Sequence, residues 1–110
     1  MEMKKLVDGI TSLQKLANTD MPINLTLQVQ RNVNNVNEAL NIFNGKIEKL
    51  RQEAGVKKEE ALPEKYHTQV QAYLDESIDI KIEPIMLANL EAAEIRVSVT
   101  DLNNLEWMLK

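Results

Sequence analysis

Cysteine is absent from the 110-residue sequence and histidine occurs once. Without thiols there is no disulfide, no thiolate metal site and no cysteine nucleophile. His67 alone cannot supply the several ligands zinc requires. Aromatic residues are scarce: Phe43, Trp107, Tyr66 and Tyr73 are the whole stock, so the core is expected to be built from Leu, Ile, Val and Met. The three glycines, Gly9, Gly45 and Gly55, stand too far apart to form a phosphate-cradling loop. Basic residues are outnumbered, for a net charge of −4, which argues against general nucleic-acid binding through Lys and Arg. No run approaches the roughly 18–20 apolar residues a membrane span needs. Met1–Lys5 leads into an amphipathic stretch with no apolar signal core. The expectation is a cytoplasmic protein without a membrane partner, made without processing.

What is present is helical periodicity. Met3, Leu6, Ile10, Leu13 and Ala17, with Leu16 beside them, alternate by three and four and predict a first helix. The Asn18–Pro22 segment breaks it. Val29, Val33, Val36, Leu40, Phe43, Ile47 and Leu50 then predict a long second helix, opening near Asn24 as N-cap and closing at Ala54 before Gly55. Its seam is about twice as long as the first helix can cover, so a further element or a second copy is expected on it. After the charged connection Val56–Glu60, Pro63 suits the first turn of a third helix facing inward through Tyr66, Val70, Tyr73 and Leu74. Ile78, Ile80 and Ile82 alternate with Asp79, Lys81 and Glu83, the period of a half-buried strand. Its partner is expected in Ile95-Arg96-Val97, across a short helix near Ile85–Leu90, or otherwise in another copy. Ser98-Val99-Thr100-Asp101 reads as a capping box for a last helix burying Leu102, Leu105, Met108 and Leu109. The expectation is one mainly α domain over residues 1–110, with a long central helix, a short helical hairpin partner and a minor β-strand or hairpin near the C-terminus. Candidate oligomer-interface residues are Val36, Leu40, Phe43, Ile78, Ile80 and Ile82.

No arrangement of nucleophile, base and orienting group emerges. His67 reads as a partly exposed packing residue of the third helix, and the carboxylates lack calcium-loop spacing. No metal or cofactor is expected. Gly9 and Gly45, inside helices, point to close helix approach. One pattern stands out: Asn34, Asn37, Asn41 and Asn44 recur at three, four and three beside the apolar seam, with Asn32 and Asn35 nearby. Asn is a poor helix former, and a solvated face ordinarily favours Glu, Lys or Gln. The stripe therefore reads either as a contact with another chain or a polar ligand, or as compositional bias. Arg31, at its edge, has the planar fork that grips phosphate or carboxylate.

Met21-Pro22-Ile23, Gln30-Arg31-Asn32-Val33, Arg51–Gly55, Tyr73–Ile80 and Val99–Met108, in this order, resemble a family of small helical proteins encoded by tailed bacteriophages and prophages. The resemblance spans nearly the whole chain and carries no catalytic motif. The Asn-rich second helix departs from a more Lys- and Glu-rich family pattern. It implies a phage setting, in the host cytoplasm, without a settled function. Two functions then stand as expectations: an anti-defence protein that binds a host immune component, either a protein or a small nucleotide signal, and a virion-assembly accessory. The compact chain and the polar stripe favour the first. Non-enzymatic action and a homo-oligomer are expected in either case.

Overall fold

The computed structural model describes residues 1–57 and 59–110. Of the charged connection 56–60, Lys58 lies outside the described residues. The first helix, α1, spans Met3–Ala17 and the second, α2, spans Ile23–Ala54. A 3₁₀ turn at Glu64–Tyr66 leads into α3, His67–Asp75; α4 spans Leu87–Ala92 and α5 Val99–Asn104. At 1.5 Å per residue α2 is roughly 48 Å long, and it sets the long dimension of a molecule measuring 50 × 26 × 22 Å.

The α2 boundaries follow from backbone chemistry. Pro22 occupies the N-cap, so the helix begins one residue before Asn24, and the first free amides have no side-chain cap. At the other end Gly55 turns left-handed at φ 68°, the conformation that closes helices and that costs glycine least. Pro63 precedes the 3₁₀ turn, and α3 proper starts only at His67. Ser98 caps α5 by accepting the Asp101 amide at 3.1 Å.

The core joins Leu6, Leu13 and Leu16 of α1 to Leu25, Val29, Val36 and Phe43 of α2, closed by Ile85, Leu90, Leu105 and Met108. Helix α1 packs on α2, α3 and α5. Gly9 is where α1 and the chain after α5 touch: a Cβ there would sit 2.6 Å from the Asn104 carbonyl and 2.9 Å from Trp107 Nε1. Gly45 meets no such neighbour, and a Cβ there would have nothing within 4 Å. The close-approach expectation is therefore corrected for Gly45. Leu102, expected inside, is 36% exposed, because α5 ends at Asn104 and the following turn carries Leu105 and Met108 inward instead.

The predicted strand does not form: among the described residues there are only isolated bridges, Glu2 to Ser77 and Ile85 to Leu109. Residues 76–86 run extended as a strap along α2. The alternation was real, since Ile78, Ile80 and Ile82 are half-buried against the core while Asp79 and Lys81 are exposed. What the pattern could not disclose is that the backbone partners are not one second strand but short main-chain contacts with residues 1–3 and 108–110 and side-chain amides of α2. Ile95-Arg96-Val97 does not return alongside. Helix α4 ends with Glu94 left-handed at φ 58°, and the Ile95 amide closes back on the Leu90 carbonyl at 3.0 Å.

Candidate functional site

The strap is held on α2 by side-chain amides. Asn32 follows Val29 by three residues and precedes Val36 by four, which places it on the buried face, where it is 0% exposed. Its Nδ2 donates to the Glu83 carbonyl at 2.9 Å, and its Oδ1 accepts the Glu83 amide at 2.8 Å. That two-bond exchange is the one a residue on a neighbouring β-strand would make. Asn35, three residues further on, donates to the Lys81 carbonyl at 2.9 Å. Lys46 then meets Glu76 at 2.7 Å. The strap thus runs antiparallel to the helix. Asn32 to Lys46 covers roughly 21 Å of helix, and Glu83 to Glu76 covers roughly 23 Å of extended chain, so the two stay in register. Met1 and Met3 complete the pairing at the strap's start: the Ile78 amide donates to the Met1 carbonyl at 2.7 Å and the Met3 amide to that of Glu76 at 3.0 Å.

Outside this contact lies the exposed face of α2. Asn34, Asn37, Asn41 and Asn44 are all exposed. Asn34 accepts from Gln30 Nε2 at 3.0 Å. The amides of Asn37, Asn41 and Asn44 make no hydrogen bond to any described residue. Ile23 and Leu27, 79% and 49% exposed, extend the same line toward the N-terminus of α2. Arg31 borders the stripe but is engaged: its Nη1 donates to both carboxylate oxygens of Glu83 at 3.1 Å each. Between this face and the strap runs an open furrow. Its N-terminal part is lined by Arg31, Asn34, Asn35 and Lys81, and its continuation by Glu38, Ala39 and Ile42.

The other six candidate positions lie elsewhere. Val36 and Phe43 are buried in the chain's own core, and Leu40, Ile78, Ile80 and Ile82 pack against it half-buried. Within the chain itself the seam residues Val29, Val36, Phe43 and Leu50 are buried and Val33, Leu40 and Ile47 half-buried, so they give no reason for self-association.

A second polar cluster docks α5 on α1. The buried Ser12 hydroxyl donates to Asp101 Oδ1 at 2.7 Å and accepts from Asn104 Nδ2 at 3.3 Å, with Lys15 Nζ 3.9 Å from the same carboxylate. The Ser12 hydrogen bond, then the one with Ser98, hold the Asp101 carboxyl below its usual value of 3.8; burial opposes them less strongly, and the Lys15 charge adds the smallest lowering effect. The hydroxyl's partners are Asp101 and Asn104, with no histidine among them, and His67 is exposed on α3; this cluster joins helices. Among the described residues no three His, Cys, Asp or Glu side chains gather in metal-binding geometry. Nor is any described helix long and apolar enough to cross a membrane.

Sequence reading placed Asn32 and Asn35 beside the stripe and missed that they bind the strap. The signal was there for Asn32, whose spacing from Val29 and Val36 puts it in the seam. Ser12, three residues after Gly9 and four before Leu16, carried the same kind of signal. No protein-family model matches the chain, and comparison with curated proteins and with solved structures finds no match.

Proposed function

We propose that this protein acts by binding rather than by catalysis, as a phage accessory protein that sequesters a component of host defence on the outer face of α2. The observation that carries this reading is the stripe itself. Asn37, Asn41 and Asn44 present unengaged amides to solvent in the middle of the longest helix, which the strap, α1 and the core hold along its other faces. Asn there costs helix stability relative to Ala, Glu or Lys, a cost that contact with a partner offsets. A protein partner is favoured over a nucleotide signal, because the cation bordering the stripe, Arg31, is already neutralised by Glu83. An anion would have to displace that carboxylate first.

The test is a pull-down from phage-infected cells with the native chain and with the Asn34→Ala/Asn37→Ala/Asn41→Ala variant, alongside mass spectrometry of retained small molecules. A host protein recovered by the native chain and lost by the folded variant supports the reading. Equal recovery by both places the site elsewhere. Retention of a nucleotide that Arg31→Lys abolishes, with the melting temperature of the free protein unchanged, replaces the protein partner with a small ligand.

A further inference from the structure

We infer that the outer face of α2 receives its partner as an extended stretch of main chain, gripped by asparagine amides in the way α2 already grips residues 81–83 of its own strap. The inference rests on the stripe being the binding face and adds the chemical form of what binds there. A side-chain amide offers a donor and an acceptor, as a peptide group does. Asn32 uses both on Glu83, and Asn35, three residues later, reaches Lys81, the next strap residue whose carbonyl points to the same edge. Asn34 with Asn37, and Asn41 with Asn44, repeat that three-residue spacing on the outer side of the same helix. From Asn34 to Asn44 the stripe covers roughly 15 Å, the length of about four to five extended residues.

Exposed amides exchange water for a partner with little gain, so affinity needs apolar burial as well. Leu27 and Ile23 supply it at the N-terminal end of the stripe. The segment that fits is therefore extended, uncharged over the amides, and carries apolar side chains at the end lying over Leu27. The neighbouring cations Arg31 and Lys46 are paired with Glu83 and Glu76, which leaves the stripe suited to a neutral backbone.

A displayed library of random linear dodecapeptides, selected on the folded protein and measured by fluorescence polarisation, tests this. The expected binders lose at least tenfold in affinity against Asn37→Ala/Asn41→Ala and keep it against His67→Ala on α3. N-methylation of alternate peptide bonds should abolish their binding, while methylation of the intervening bonds should not. No enrichment, binders indifferent to the double variant, or binders that stay helical and tolerate every N-methylation would each overturn main-chain recognition. If the double variant also loses a host partner in infected cells while the peptides tolerate N-methylation, the binding-face reading stands and only the extended mode fails.

Discussion

Asn32 and Glu83, 51 positions apart, exchange two hydrogen bonds at 2.9 and 2.8 Å across the buried side of α2. One helical side chain thereby does for the middle of the strap what a second strand would have done, while main chain at residues 1–3 and 108–110 bonds its ends, so an isoleucine alternation exists without a sheet. Asn32→Ala would leave the Glu83 amide and carbonyl without partners in a part-buried setting. The expected loss is about 2–4 kcal/mol, read as a lower urea midpoint. Asn37→Ala, on the same helix but solvated, should instead gain about 0.5 kcal/mol from helix propensity. Equal effects at the two positions would refute the division of the asparagines into an inner and an outer set.

The two mid-helix glycines should respond oppositely to alanine. At Gly9 the new methyl meets the Asn104 carbonyl and the Trp107 indole, so α1 and the C-terminal turn must separate. A net destabilisation of about 1–3 kcal/mol is expected despite the gain in propensity. Gly45→Ala enters open space and should stabilise by about 1 kcal/mol. Thermal melts of the two variants decide it.

Acid should loosen the junction of α1 and α5. The Asp101 carboxyl has a lower pKa folded than unfolded, chiefly because Ser12 and Ser98 hydrogen-bond to it. Its contribution is therefore complete above the unfolded value and disappears as pH falls through the folded one. Melting temperature followed from pH 6 downward should fall less steeply in Asp101→Asn than in the native chain. Ser12→Ala, which removes the largest cause of the shift, should make the fall smaller and end it at higher pH. Parallel curves for all three proteins would contradict this role.

Glu94 holds a left-handed conformation at φ 58° where α4 closes, a region that costs a residue with a Cβ about 1 kcal/mol. Glu94→Gly should raise stability by up to that amount in chemical denaturation, with no change in the folded spectrum. A loss of stability would mean that the Glu94 side chain makes a contribution larger than the strain it bears.

If binding alone carries the biological activity, His67→Ala should leave it intact. Loss of the proposed partner binding by a folded His67→Ala protein, measured by the same pull-down, would return attention to chemistry around α3.

Local interactions made much of this fold legible from sequence. The periods of α1 and α2, the glycine closing α2 and the Ser98 cap depend on residues within a few positions of one another, so the sequence carries them directly. The half-burial of Ile78, Ile80 and Ile82 was legible for the same reason. What covers the α2 seam was not, because period-two alternation reports which side of a segment is dry and says nothing of what its backbone bonds to. Only the tertiary structure brought Asn32 and Asn35 to Glu83 and Lys81, turning two members of an asparagine cluster inward and leaving Asn34, Asn37, Asn41 and Asn44 outside. The same packing paired Arg31 with Glu83 and enclosed Val36 and Phe43 within the chain. An amide's role depends on whether water or a buried peptide group faces it, and contacts distant in sequence set that.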